Sequence, residues 1–95
     1  MYEFTTECYL RVAERLVDAI GRQPYYNGAI VLYDGEVRLQ LSCSLLVSYA
    51  PRAEPEYTFP HITRIKPVWW EMESTIGQDS IENDFSFGQL LNLIF

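Results

Sequence analysis

Few side chains in this chain have the type and spacing that chemistry needs. His61 is the single histidine, and a general base of that kind requires a positioned nucleophile. Cys43 and scattered serines are the only candidates, and none sits in a signature such as Gly-x-Ser-x-Gly. Next to Pro60, His61 reads as a solvated residue at the end of a loop or strand. Asp79, Glu82 and Asp84, with Glu71 and Glu73, offer the hard oxygen ligands that a divalent cation takes. Their spacing departs from the EF-hand loop, because Ile81 stands at a ligand position and no glycine fills the sixth place. They read as a solvated acidic edge, with Asp84 favouring the positive end of the helix that follows. Cys8 and Cys43 match neither Cys-x-x-Cys nor zinc spacing, and read as reduced, small apolar residues. Glycine fingerprints for phosphate or dinucleotide binding are absent, and nothing selects a glycosidase-type carboxylate pair. The expectation is no enzyme: no catalytic residue, no metal site, no cofactor.

The elements that position these residues are easier to read. Asp34-Gly35 separates two β-prone runs, Tyr25 to Tyr33 and Glu36 to Tyr49, a strong hairpin signal. In the second run Val37, Leu39, Leu41, Cys43, Leu45, Val47 and Tyr49 alternate with polar residues, so one face is buried. A turn at Asp34-Gly35 sets Leu32 opposite Val37, Ile30 opposite Leu39 and Tyr26 opposite Cys43. Before the hairpin, the apolar spacing of Tyr9, Val12, Ala13, Leu16, Val17 and Ile20 predicts a helix from Glu7 to Ile20. Thr5 or Thr6 is its N-cap and Gly21 its terminator.

Residues 50 to 60 carry three prolines and read as a loop. Ile62 to Ser74 predicts a third strand, whose change of phase calls for a bulge near Lys66 and Pro67. Ser74 to Asp84 is a polar connection in which residues 80 to 82 could add a very short strand. Ser86 caps a final helix starting at Phe87, with Gln89 as capping-box partner and Phe85 and Leu90 as a hydrophobic staple. The expected fold is α+β: one domain over residues 1–95, a two-layer α-β-β-β-α arrangement. An antiparallel three-stranded sheet carries both helices on one face.

Composition bounds the function. The chain of 95 residues is 48% hydrophobic and 15% aromatic, the make-up of a folded protein, with a net charge of −6. Every Lys and Arg lies at or before Lys66, so the last third is acidic and direct nucleic-acid binding is disfavoured. The start, Met-Tyr-Glu-Phe-Thr-Thr-Glu, lacks the features of a secretion signal and no run approaches a membrane span. A cytoplasmic protein that binds neither membrane nor nucleic acid is expected.

The element order is similar to the double-stranded RNA-binding domain, but that family reads RNA with basic residues where this chain has Glu82-Asn83-Asp84-Phe85-Ser86. RNA binding is therefore not implied. Pro67-Val68-Trp69-Trp70-Glu71, Asn83-Asp84-Phe85-Ser86-Phe87 and the Thr-Thr-Glu-Cys start resemble a group of small proteins from mobile elements of gut bacteria. That resemblance implies no activity and no catalytic residue.

One feature exceeds what folding requires. If Leu39 and Trp70 point inward, then Tyr25, Ala29, Val31, Tyr33, Leu46 and Trp69 point away from the helices. Either a partner covers them, or the 50 to 60 loop does with Tyr57 and Phe59. The expected function is a small protein-protein interaction module. Trp69, Tyr33, Val31 and Tyr25, flanked by Glu71 and Glu73, would bind another protein or a second copy. The alternative is an acidic nucleic-acid mimic that inhibits a basic partner.

Overall fold

A computed structural model describes residues 1–50 and 62–95 of the chain. The expected 50 to 60 loop, with Tyr57 and Phe59, and His61 lie outside the described residues, Ala50 excepted. Helix α1 (Thr6–Ile20) starts where the Thr5 hydroxyl accepts the Cys8 amide at 3.1 Å, and ends at Gly21 with φ 60°. Cys8, Tyr9, Val12, Ala13, Leu16 and Ile20 form its buried stripe. Val17, expected in that stripe, is 38% exposed.

Strands β1 (Tyr25–Asp34), β2 (Val37–Tyr49), β3 (Ile62–Ile76) and β4 (Asp79–Ile81) form one antiparallel sheet in chain order. The sheet therefore has four strands rather than the expected three. The third strand runs two residues past Ser74, and Gly77-Gln78 turns it into β4.

The β1–β2 register differs from expectation by two residues: Leu32 pairs with Leu39 and Ile30 with Leu41. Asp34 pairs with Val37, so the turn is Gly35-Glu36, and only Gly35 takes positive φ, at 60°. That single positive φ fits a type II′ turn, which needs glycine at its first central position, whereas a turn on Asp34-Gly35 would need two. A shift of two keeps the alternation in phase, so every side chain stays on its expected face.

Between β2 and β3 the ladder slips where Ser44 pairs with Trp69 and Leu45 with Pro67, leaving Val68 extra. The expected bulge thus sits at Val68, and a second irregularity skips Thr63.

Helix α2 (Phe87–Ile94) is capped by the Ser86 hydroxyl, which accepts the Gln89 amide at 3.4 Å. The return half of the expected capping box is replaced: the Ser86 amide donates to the Tyr9 hydroxyl at 3.0 Å, tying the start of α2 to α1. The buried residues of both helices and of β1, β2 and β3 make one core, with Leu16, Ile20, Leu39, Leu41, Leu45 and Leu90 wholly enclosed.

A contribution that sequence reading missed comes from the first residues. Tyr2 pairs in parallel with Asn83, its amide donating to the Glu82 carbonyl at 2.7 Å. Phe4 then donates its amide to the Asp84 carboxylate, also at 2.7 Å. The rings of Tyr2, Phe4, Tyr9, Phe85, Trp70 and Phe87 follow in a chain, with centroids 5.0 to 5.6 Å apart and 5.8 Å between Trp70 and Phe87. Edge-to-face and offset contacts of this kind add stability beyond area burial.

Candidate interaction surface

Alternation along three strands separates two populations of side chains. Leu39, Leu41, Cys43 and Leu45 are buried with the helices, while Tyr33, Arg38 and Thr75 form one cross-strand row on the opposite face. Val31, Gln40 and Glu73 make the next row, then Ala29, Ser42 and Glu71, then Asn27, Ser44 and Trp69. Tyr25, Leu46 and Lys66 complete the face at the far end.

The register separates residues that the sequence grouped. Tyr33 and Trp69 lie six residues apart along the strands and two strands across, more than about 20 Å at ~3.3 Å per residue. Both are exposed, at 59% and 51%, whereas Val31 is half-buried. Between them the middle strand presents Gln40, Ser42 and Ser44, knit by hydrogen bonds from Gln40 to Ser42 at 3.3 Å and from Ser44 to Asn27 at 2.8 Å.

The apolar part of the face is thus concentrated at one end. There Tyr25 (47% exposed) and Leu46 (44%) are cross-strand neighbours, and Trp69 stands one row away. Val68 joins them at the sheet margin, 62% exposed because the bulge turns it out of the ladder. Pro67 was the sequence signal for that bulge.

The acids do not form one array. Glu71 and Glu73 lie on the face of Trp69, but Asp79 pairs with Ile76 and so falls on the other side of the sheet. Asp84 is occupied by the Phe4 amide. Among the described residues, no three His, Cys, Asp or Glu side chains stand together as a metal site.

Both cysteines are free and buried. Burial pushes the Cys43 thiol up to about 11, so at neutral pH it is a thiol, the reverse of an activated nucleophile. Burial, and then the hydrogen bond to Asp34 at 2.6 Å, raises the Tyr2 hydroxyl far above its ordinary value.

A concavity of about 680 Å³ opens between Leu10, Ala13 and Val17 of α1, Leu93 and Ile94 of α2, and Ile62. Its signal in the sequence was Leu10, an apolar residue outside the expected stripe and two helical turns before Val17.

No described helix is long and apolar enough to cross a membrane. Comparison with protein-family models, with curated proteins and with solved structures finds no match to this chain.

Proposed function

We propose that this protein is a small, non-enzymatic binding module that docks a protein partner on the end of the sheet carrying Tyr25, Leu46 and Trp69. The observation that carries the reading is their joint exposure as neighbours on the face opposite Leu39 and Leu41. Tyrosine and tryptophan are the residues enriched at interface hot spots, since each adds large contact area at small entropic cost. Lys66 beside Leu46, and Glu71 and Glu73 above Trp69, supply the polar rim that such a centre needs.

The proposal includes a two-layer arrangement, with both helices over the Leu39 face and the other face left to the partner, in a cytoplasmic setting. The separation of Asp79 and Asp84 from Glu71 and Glu73 favours this reading over the nucleic-acid mimic, whose carboxylates would have to share one surface.

The test is affinity capture with the wild type, Trp69→Ala and, as a control on the α1 side, Leu10→Ala. A protein retained by the wild type and by Leu10→Ala but lost from Trp69→Ala is the expected result. Capture that ignores Trp69→Ala refutes the assignment of the surface.

A further inference from the structure

The two margins of the sheet are protected unequally. Below its short pairing with β4, the outer margin of β3 carries Lys66, Pro67, the Val68 bulge, Glu71 and Glu73. Charge, proline and a bulge are the devices that keep an edge strand from pairing with another chain. β1 has none of them before its last residue, Asp34. It pairs without irregularity over ten residues, and from Tyr25 to Tyr33 it holds no charge and no proline. It is the terminal strand of the sheet, so its second edge has no neighbouring strand among the described residues.

Which backbone groups face that edge follows from the hairpin. In a two-residue hairpin the pair closing the turn is hydrogen-bonded, here Asp34 with Val37, and such pairs recur at every second residue. The even-numbered residues of β1 therefore bond to β2, as the Val47 amide on the Pro24 carbonyl at 2.8 Å continues to show. The odd-numbered ones point outward. Arg11 marks this directly by donating to the Tyr33 carbonyl at 3.0 Å from outside the sheet. That carbonyl is taken; the amides and carbonyls of Asn27, Ala29 and Val31 form a ladder with no strand opposite it among the described residues.

We infer that β1 pairs antiparallel with β1 of a second copy of this chain, about a two-fold axis through Ala29. The partner is a second copy because the strand is complementary to itself in this register. Ala29 meets its own mate and Asn27 meets Val31, outward residues that can exchange both hydrogen bonds; at each end Tyr25 meets Tyr33, where Arg11 already holds the Tyr33 carbonyl and one bond, from the Tyr33 amide to the Tyr25 carbonyl, remains. Small residues meet on the axis, and tyrosines face each other across the strands on the exposed side of the sheet. Asp34 falls opposite Pro24 of the other copy, so two chains of net charge −6 meet along their uncharged margin. The contact is isologous, which closes the assembly at two copies. Leu46 and Trp69 of the docking surface lie on other strands, and Tyr25 is the one residue the two contacts share.

The test is sedimentation equilibrium on the intact protein over a concentration series up to millimolar, with Ala29→Pro beside the wild type. Proline at this position removes an outward amide and leaves the bonds to β2 intact. A wild type approaching twice 11.1 kDa, an Ala29→Pro monomer and an unaltered Trp69→Ala dimer are expected.

Cysteine pairing fixes the register and decides the matter if the proline variant does not fold. Ala29→Cys should oxidise to a covalent dimer, because directly opposed residues of a hydrogen-bonded pair lie about 5.5 Å apart, within disulfide reach. Val31→Cys, placed opposite Asn27 of the other copy, should not. A wild type that stays at monomer mass overturns the inference. So does a dimer indifferent to Ala29→Pro, or one that crosslinks at residue 31 rather than 29; association only with a different protein's strand does the same.

Discussion

Asn83 holds the second half of the chain to the sheet, and its removal should be costly for a surface-side polar residue. Its amide nitrogen donates to the Met72 carbonyl at 3.1 Å and the Ser74 hydroxyl at 3.0 Å, and its oxygen accepts the Phe85 amide at 3.1 Å. Ser74, 2% exposed, donates its hydroxyl to the Ile81 carbonyl at 2.6 Å. The side chain of Asn83 thus extends the β3–β4 ladder by one step after β4 has ended. Asn83→Ala strands all of its partners, and at ~1 kcal/mol net for each lost bond the expected destabilisation is about 2–3 kcal/mol. For a domain of this size the urea slope is ~1 kcal/mol/M, so the unfolding midpoint should fall by about 2–3 M. Asn83→Asp keeps the acceptor for Phe85 but sets a carboxylate against the Met72 carbonyl. It should be as damaging as alanine at neutral pH and should recover in acid, where the protonated group donates again. Because Ser74 and Asn83 share one network, Ser74→Ala and Asn83→Ala should not add in the double variant. A midpoint change under about 0.5 M for Asn83→Ala, or strict additivity with Ser74→Ala, would refute this account.

The junction of the helices gives a smaller effect: Tyr9→Phe removes the acceptor of the Ser86 amide and should cost about 1 kcal/mol in urea unfolding, with the ring packing preserved. Trp69→Ala should change stability by less than about 1 kcal/mol, because an exposed side chain leaves no cavity, whereas Leu90→Ala, wholly enclosed, should cost about 2–5 kcal/mol. Alkaline stability tests the buried thiol. With the Cys43 value raised from 9.0 to about 11, the folded state holds its proton more tightly than the unfolded chain. Its stabilising contribution is complete below pH 9.0 and is lost as pH rises to about 11, so the urea midpoint should fall across that window and fall less in Cys43→Ala. Burial raises Tyr26 and Tyr49 in the same direction, so the Cys43→Ala curve should still decline at the alkaline end.

The sequence was most legible where a pattern is local. The alternation of β2 and the three- and four-residue spacing of α1 are set by backbone geometry within one element, and faces and caps followed from them. The hairpin register missed by two because Asp34-Gly35 is a common turn pair, while the chain turns at Gly35-Glu36. Parity protected the burial pattern from that error. Tyr2 and Phe4 were overlooked because their partners, Asn83, Asp84 and Phe85, lie some eighty positions away. Tyr2-Glu3-Phe4 does alternate, which was the available hint. For the candidate surface, the outward direction of Tyr25, Tyr33 and Trp69 was readable. Their spacing was not, since it depends on the register and on which residue the bulge ejects. Grouping Tyr33 with Trp69 therefore merged two ends of one face.

The concentration of apolar surface at one end is itself informative. Cys8, Tyr9, Val12, Ala13, Leu16 and Ile20 on α1, with Phe87 and Leu90 on α2, are already committed to the core shared with Leu39 and Leu41. No buried helical position is left over to shield Tyr25, Leu46 and Trp69. These positions point away from that core, so threonine or lysine could stand there with little loss of core packing and with the gain of a better-behaved surface. The middle of the same face shows that choice made, with Gln40, Ser42 and Ser44 in a row on the central strand. Polar residues in the middle of the face, with two aromatic rings and a leucine gathered at one end, is the distribution that the proposed docking site requires of a centre with its rim. Replacing Leu46 by threonine should then leave the urea midpoint unchanged while weakening partner capture as Trp69→Ala does; a Leu46→Thr protein that binds normally would place the contact elsewhere on the sheet.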